Sequence, residues 1–255
     1  MLQYNLTAMK QRLDQTLVEK GFFLSRAQAQ AAIMAGLVYL NGQKSDKAGQ
    51  LVRPEDQLEV KGKEHPYVGR GGLKLAKALD KFTVDPAGRI ALDIGASTGG
   101  FTDCLLQRGA KKVYAVDVGY GQLAWKLRQD ERVVVVERTN ARHLTRDKLY
   151  NGKDKADLAV IDVSFISLAK ILPAVYDLLQ TKAEVLALIK PQFEADRDQV
   201  GKGGIVRDQK VREAVIVKVK QAAVELGFSV AGLTDSPIAG ADGNKEFLIY
   251  LRKGQ

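Results

Sequence analysis

The chain has 255 residues, of which 45% are hydrophobic, a formal net charge of +9 and a pI near 9.5. This length can bury one large core or two unequal ones, and a basic balance is typical of proteins that meet a polyanion, usually nucleic acid. The single cysteine, Cys104, excludes an intramolecular disulfide framework, and with only two histidines the chain has no His/Cys metal cluster.

The N-terminus, the hydropathy and the single cysteine indicate a cytoplasmic protein. No apolar run approaches the ~20 residues that a transmembrane helix needs. The first twelve residues lack the long apolar core and the small-residue cleavage site of a secretory signal. The basic charge is also compatible with a solvated surface that binds no partner, which composition alone does not exclude.

Residues 1–62 predict a small α+β unit of two helices followed by short strands. Apolar residues recur at helical spacing from Leu13 to Val18. Ser25 is suited to capping a second helix, which Gly36 ends. A short strand then leads into Asn41-Gly42, the preferred pair for a type I′ hairpin turn. Residues 63–67 are predicted to form a polar linker.

Residues 68–255 alternate strands and helices. The strand candidates are Ile90–Ile94, Lys112–Asp117, Val133–Glu137, Leu158–Asp162, Val185–Lys190, Phe228–Leu233 and Glu246–Leu251. Such alternation predicts an α/β domain with a doubly wound, mostly parallel sheet. The last two strands are joined by a short loop and can pair antiparallel at the sheet edge.

A glycine-rich loop, Asp93-Ile94-Gly95-Ala96-Ser97-Thr98-Gly99-Gly100-Phe101, joins the first of these strands to a helix. Such a junction brings backbone N–H groups and a helix N-terminus close to a ligand. A dinucleotide loop would need glycine in place of Ser97. The sequence resembles instead the S-adenosylmethionine (SAM) loop of Rossmann-like methyltransferases. This resemblance implies cofactor contacts from Asp93, Gly95, Ala96, Ser97, Thr98, Gly99, Gly100 and Phe101.

Polar residues at the ends of the next strands extend the predicted cofactor site. Asp117 follows the second strand and can accept hydrogen bonds from both ribose hydroxyls of a cofactor. Asn140 and Ala141 follow the third strand, where an adenine edge would lie, and Asp162 follows the fourth, beside the position of the methyl group. Strand-end residues can also cap the next helix, and for Asn140 both roles remain open.

The atom type that accepts the methyl group can be narrowed by elimination. Nitrogen-methylating enzymes often carry an Asn/Asp-Pro-Pro-aromatic motif, whereas this chain has Asp162-Val163-Ser164-Phe165. Carbon-methylating enzymes commonly need a nucleophilic cysteine, and Cys104 lies in the wrong segment. An oxygen nucleophile is left. A ribose hydroxyl is a weak acid, so its methylation needs a base and nearby cations.

Four residues match that need in chain order: Lys74, Asp162, Lys190 and Glu246. The set resembles the catalytic tetrad of the FtsJ-type ribose 2′-O-methyltransferases. The resemblance implies that Lys190 is the central residue, as base or electrostatic guide, and that Asp162 and Glu246 hold the lysines. Lys74 would contact the ribose or a phosphate. Glu246 has an alternative role as an edge-strand charge pair with Lys245.

The N-terminal unit resembles an S4 domain, a small RNA-binding module. The resemblance is carried by Arg12-Leu13-Asp14, Gly21-Phe22-Phe23, Ser25-Arg26, Ala35-Gly36-Leu37-Val38 and Asn41-Gly42. The candidate RNA contacts are Lys10, Arg12, Arg26, Lys44, Lys47 and, beyond the unit, Arg70, since lysine and arginine neutralise phosphates. Residues 1–66 hold nine basic and seven acidic residues. The larger domain must therefore carry much of any electrostatic contact.

An S4 unit followed by an FtsJ-like domain, with GRGGLKL, DIGASTGGF, IDVSFISL, IKPQFE and NKEF, closely resembles the TlyA family, often labelled hemolysin A. The resemblance implies SAM-dependent methylation of a cytidine 2′-OH in ribosomal RNA (rRNA). Three alternatives remain: a non-catalytic rRNA-binding module, methylation of a different RNA, and a membrane-lytic protein as the label suggests.

Overall fold

The computed structural model describes residues 10–23, 25–60, 65–152, 155–240 and 242–254. The chain divides into two compact units, Met1–Pro66 and Tyr67–Gln255. Residues 63 and 64 of the predicted linker lie outside the described residues. Within the described chain, none of the helices has both the length and the apolar character that a membrane span needs.

The described residues of the first unit form two helices and five short strands. They are β1 (Gln11–Arg12), α1 (Leu13–Glu19), α2 (Arg26–Met34), β2 (Val38–Leu40), β3 (Gln43–Lys44), β4 (Leu51–Val52) and β5 (Leu58–Val60). Strand β1 pairs with β4, and β2 lies between β3 and β5 in a three-stranded antiparallel sheet. The apolar faces of α1 and α2 pack on Val38 and Val52 in one small core.

Local signals in the first unit act as expected. The Ser25 hydroxyl accepts a hydrogen bond from the Gln28 N–H at 3.3 Å and so caps α2. Asn41 and Gly42 both have positive φ, at 51° and 78°, as a type I′ turn between β2 and β3 requires. The two predicted helices are followed by strands as expected, and the two-residue strand β1 before α1 was not predicted.

The second unit carries seven strands and seven helices in its described residues. They are α3 (Gly71–Phe82), β6 (Ile90–Ile94), α4 (Gly100–Gln107), β7 (Lys112–Val116), α5 (Trp125–Arg128), β8 (Val133–Val136), α6 (Arg146–Tyr150), β9 (Leu158–Ile161), α7 (Leu172–Leu178), β10 (Glu184–Ile189), α8 (Pro191–Glu194), α9 (Gln209–Glu225), β11 (Phe228–Asp235) and β12 (Phe247–Lys253). Each predicted strand is present, with ends that differ by at most two residues.

These strands form one sheet in the order β8-β7-β6-β9-β10-β12-β11. The first five in sequence are mutually parallel, and β12 runs antiparallel to both of its neighbours. The predicted mostly parallel sheet with antiparallel pairing at one edge is confirmed. The antiparallel strand β12 lies one position inside that edge, between β10 and β11.

The sheet is buried on both faces because its strands alternate their side chains between two apolar layers. In β6, Leu92 and Ile94 join the layer that contains α7 and α9. Ala91 joins the opposite layer, built with α3, α4 and α5. Such an arrangement leaves the carboxyl ends of the parallel strands as the place where polar side chains can meet a ligand.

Candidate active site

The strand order reverses between β6 and β9, and the glycine loop lies at this switch point. Gly95 has a φ of +86°, and a Cβ built there would lie 2.5 Å from the Asp162 carbonyl oxygen. No other residue type fits so close to the end of β9. A Cβ on Gly100 would lie 3.0 Å from the Gly69 carbonyl oxygen. The two glycines therefore hold the loop against β9 and against the segment that precedes Lys74.

Asp117 braces this loop from the end of β7. Its Oδ2 accepts a hydrogen bond from the Ser97 N–H, and its Oδ1 accepts one from the Gly119 N–H, both at 2.7 Å. Ser97 has a φ of +48°. The carboxylate thus fixes the conformation of two loops and still has lone pairs that face a cavity.

A cavity of about 390 Å³ lies between these loops and the loop after β9. It brings together Asp117, Asn140, Ala141 and Asp162 with apolar side chains that include Val116 and Ile171. Asn140 also caps the turn that follows it, because its Oδ1 accepts a hydrogen bond from the Arg142 N–H at 3.1 Å. Both roles left open for Asn140 are therefore compatible with its position.

A second cavity of about 490 Å³, named the catalytic cavity from here on, shares the wall formed by Gly95, Ser97 and Asp162. It contains all four members of the predicted tetrad. Its lining residues are Gly69, Arg70, Gly71, Lys74, Gly95, Ala96, Ser97, Thr98, Gly100, Phe101, Asp162, Ser164, Phe165, Lys190, Gln192, Phe193, Asp242 and Glu246. A polar cavity lined by three basic and three acidic side chains thus adjoins a more apolar one at the switch point.

Lys190 lies at the end of β10, where its ammonium meets two acceptors from the loop after β9. Its Nζ is 2.6 Å from Asp162 Oδ1 and donates a hydrogen bond to Ser164 Oγ at 2.9 Å. The side chains of Lys190 and Asp162 are only 11% and 21% exposed. This pair is shielded from water and held at the edge of the catalytic cavity.

Lys74 and Glu246 form the second pair in this cavity. Lys74 Nζ donates to Glu246 Oε2 at 2.5 Å, and the two side chains are 7% and 2% exposed. Glu246 is therefore a buried partner of Lys74 and not a surface charge paired with Lys245. The sequence suggested that Glu246 would also hold Lys190, whereas Lys190 is held by Asp162 and Ser164.

Two residues of the glycine loop motif lie outside both cavities. Asp93 is fully buried, and its Oδ2 accepts a hydrogen bond from Thr102 Oγ1 at 2.6 Å. Its Oδ1 has no hydrogen-bond partner in the described part of the chain. Gly99 precedes α4 with a φ of +95° under Leu123 and Leu127. Both residues support the loop on its buried side. Direct ligand contact had been expected for them.

Burial raises the pKa of Asp93 to about 7, with a further contribution from the negative charge of Asp162. A carboxyl whose pKa is higher in the folded state binds a proton more tightly there than in the unfolded chain. Its contribution to stability is therefore lost as the pH rises from about 4 to about 7.

We expect Asp93→Asn to reduce this pH dependence, because asparagine accepts the Thr102 hydrogen bond without ionising. Chemical unfolding at pH 5, 6, 7 and 8 measures the effect. Relative to the variant, the wild type loses stability up to pH 7 and then levels off. The control is Asp235→Asn, a change at an exposed carboxylate. Parallel stability curves for the wild type and Asp93→Asn would contradict the prediction.

In the first unit, a buried carboxylate orients the two arginines that the sequence analysis singled out. Asp14 is 0% exposed and accepts hydrogen bonds from Arg12, Arg26 and Gln30 at 2.7–3.1 Å. The arginine side chains remain 44% and 51% exposed. The guanidinium of Arg12 holds the pKa of Asp14 far below its usual range, so this carboxylate stays charged.

The other basic candidates have different surroundings. Lys10 and Lys47 are exposed. Lys44 is exposed too, but its side chain reaches across Gly36, where a Cβ would lie 1.9 Å from the lysine Cε. Arg70 belongs to the catalytic cavity.

Sequence reasoning missed seven residues of the catalytic cavity. They are Gly69, Gly71, Ser164, Phe165, Gln192, Phe193 and Asp242. Ser164 and Gln192 each lie two positions beyond a predicted catalytic residue, and this spacing was the signal available. Phe165 is 90% exposed with a φ of +63°, and its ring lies 5.0 Å from that of Phe193.

Comparison with known proteins gives two family matches and several close relatives. Residues 67–253 match the family model of FtsJ-like methyltransferases, and residues 11–58 match that of the S4 domain. A Bacillus subtilis protein called YqxC is 54% identical, over 96% of this chain and 87% of its own. The 16S/23S rRNA (cytidine-2′-O)-methyltransferase TlyA of Mycobacterium tuberculosis is 46% identical, over 96% of this chain and 91% of its own.

A solved structure from Streptococcus thermophilus, labelled a hemolysin, is 50% identical with a TM-score of 0.76. The alignment covers 96% of this chain and 89% of that one. The family model spans residues 67–253, which include all four residues of the predicted tetrad. The chain therefore belongs to the FtsJ-like methyltransferase family and carries an S4 domain before its methyltransferase domain.

Proposed function

We propose that this protein transfers a methyl group from SAM to the ribose 2′-OH of a cytidine in rRNA. The observation that carries the proposal is the meeting of two lysine–carboxylate pairs, Lys190–Asp162 and Lys74–Glu246, in one cavity at the switch point of the sheet. The printed function of the Mycobacterium tuberculosis relative supports cytidine and rRNA as the target. An enzyme with this substrate acts where ribosomes are assembled and used, in the cytoplasm.

The cavity beside the catalytic cavity fits SAM. Asp117 offers carboxylate lone pairs to ribose hydroxyls, and Asn140 with the apolar wall at Val116 and Ile171 fits an adenine ring. Gly95 leaves room at the junction that a Cβ would fill. When bound, SAM supplies a methyl group on a positively charged sulfur, and Asp162 borders both cavities at this junction.

Lys190 is placed to orient the 2′-hydroxyl and to receive its proton at Nζ as the new O–C bond forms. Asp162 and Ser164 fix the position of this nitrogen. A lysine takes up a proton only in its uncharged form, and a serine hydroxyl can either accept from the ammonium or donate to the amine. Ser164 can therefore stay hydrogen-bonded to Nζ before and after the proton is transferred.

Lys74 and Glu246 act as a fixed pair beside this centre. Because both side chains are buried and close, the Lys74 ammonium keeps one orientation and needs little rearrangement when charge develops on the substrate oxygen. Arg70 lines the same cavity and can neutralise a phosphate of the target strand.

Asp117→Ala should weaken SAM binding by roughly 10- to 100-fold, because it removes a ribose acceptor and leaves the Ser97 and Gly119 N–H groups without theirs. Calorimetry with SAM measures the effect. Asp117→Asn, which keeps one acceptor oxygen, should fall between the wild type and Asp117→Ala. Unchanged affinity of Asp117→Ala would remove Asp117 from the cofactor site.

The first unit supplies RNA contacts through the arginines held on Asp14. Arg26→Gln should weaken rRNA binding and reduce the dependence of log affinity on log salt by about one charge. Filter binding at several salt concentrations checks this, with the exposed glutamine change Gln28→Asn as a control. An unchanged salt slope would place Arg26 outside the RNA interface.

Transfer of labelled methyl from SAM to purified small and large ribosomal subunits tests the proposed function, followed by nucleoside analysis of the RNA. The expected product is 2′-O-methylcytidine. Binding of SAM and of rRNA without any transfer would overturn the enzymatic proposal and favour a non-catalytic rRNA-binding module. A methylated base in place of a methylated ribose would overturn the assignment of the acceptor atom.

A further inference from the structure

Gln192 lines the catalytic cavity and carries a buried hydrogen-bond acceptor that has no partner in the described residues. It lies two positions after Lys190, within α8, and lines the same cavity. Its Oε1 is buried and has no hydrogen-bond partner in the described residues. A buried carboxamide oxygen without a donor costs stability, so an unpaired acceptor at this place indicates a ligand that brings the donor.

The chemistry of a cytidine within an RNA strand limits what that donor can be. Such a nucleotide carries two hydrogen-bond donors, the 2′-hydroxyl and the N4 amino group of the base. The 2′-hydroxyl is directed to Lys190 in the proposed reaction. The N4 amino group is left for Gln192. Uracil has an acceptor oxygen in place of this amino group, so Oε1 would face another acceptor.

The position of Gln192 suits contact with the base. In a nucleotide, the base is bonded to the carbon next to the one that carries the 2′-hydroxyl, so a hydroxyl at Lys190 brings the base close to α8. Phe193 and Phe165 line the cavity beside Gln192. Because Oε1 is itself buried, a missing hydrogen bond at this atom is costly.

SAM also has a donor, its ammonium group, that could reach this cavity. A charged ammonium is matched best by a carboxylate, and the exposed carboxylate of Asp242 lies in the same cavity. Gln192 does not line the neighbouring cavity that contains Asp117 and Asn140. A neutral acceptor on the Lys190 side is better matched to the neutral amino group of a base.

We infer that Gln192 is a specificity-determining residue, whose Oε1 accepts a hydrogen bond from the N4 amino group of the target cytosine and so selects cytidine over uridine. This inference rests on the proposed function. It adds a direct reading of the base to the positioning of the ribose by Lys190 and Asp162.

The test compares kcat/KM on two RNA fragments that contain the methylated nucleotide, one with cytidine and one with uridine at that position. Wild-type protein should prefer cytidine by at least about tenfold. Gln192→Met, which has similar length and no acceptor oxygen, should bring the ratio to within about threefold, mainly through slower reaction of cytidine. Gln192→Glu keeps an acceptor and should retain the preference. Gln180→Met, at an exposed position, should leave the ratio unchanged.

Two outcomes overturn the inference while the proposed function stands. One is an unchanged cytidine preference in Gln192→Met. The other is a loss of SAM affinity by calorimetry in Gln192→Met with no change in base preference, which would assign the acceptor to the cofactor.

A binding measurement does not depend on methyl transfer. Cytidine and uridine monophosphate are titrated separately into full-length protein saturated with S-adenosylhomocysteine, with NMR of the glutamine side-chain amides. The Gln192 signal should shift with the cytidine nucleotide and much less with the uridine one. Equal shifts with both nucleotides, or none with either, would overturn the inference.

Discussion

Replacing Lys190 by methionine should reduce kcat for methyl transfer by a factor on the order of 10³, while the affinity for SAM stays within about twofold. In the proposed mechanism Lys190 orients the 2′-hydroxyl and receives its proton, and such contributions are worth about 10²- to 10⁴-fold. The methylene groups that methionine keeps preserve much of the packing at the end of β10. Single-turnover transfer to ribosomal subunits measures kcat, and calorimetry measures SAM binding.

A control for Lys190→Met is Lys170→Met, which removes an exposed lysine outside both cavities. It should leave kcat unchanged. Turnover by Lys190→Met within threefold of the wild type would remove Lys190 from the mechanism. An equal loss of SAM affinity and kcat would show that the residue serves binding and not the chemical step.

Removing Glu246 should produce the largest loss of stability among the site variants. In Glu246→Leu, the Lys74 ammonium remains buried without its partner, and breaking a buried ion pair from one side costs about 3–5 kcal/mol. Urea unfolding followed by the fluorescence of Trp125, the only tryptophan of the chain, reports on the second unit. Methyl transfer should be lost as well.

The double variant Lys74→Met/Glu246→Leu separates charge burial from packing. Because neither charge is then left unpaired, it should recover a large part of the stability lost in Glu246→Leu. Methyl transfer should remain absent in the double variant. A double variant as unstable as the sum of the single changes would show that the two residues act independently, contrary to their 2.5 Å contact.

The sequence predicted the elements of this protein better than the contacts between them. Apolar runs that alternate with helical segments located all seven strands of the large sheet. Strands that are buried on both faces appear in a sequence as nearly continuous apolar runs. The turn at Asn41-Gly42 and the cap at Ser25 are local and depend on neighbouring residues alone. Such signals need no knowledge of the rest of the fold.

Contacts between residues far apart in the sequence were harder to predict. The motifs placed Lys74 and Glu246 among the candidates, but which lysine meets which carboxylate depends on where α3 and β12 lie against the sheet. Asp93 was expected at the cofactor and is instead buried under the loop with Thr102. Ser164 and Gln192 are ordinary polar residues in sequence and gain their roles only from the cavity that they line.

Because β12 comes late in the chain, its position in the sheet makes the catalytic centre depend on the order in which the chain is synthesised. Glu246, at the entry to this strand, meets Lys74 across 172 positions of sequence, and β12 must insert between β10 and β11 for the sheet to close. A growing chain thus carries the glycine loop, Asp162 and Lys190 well before the second lysine pair exists. Contacts this distant form late, so the nascent polypeptide has no complete catalytic centre until its last strand has been made and inserted.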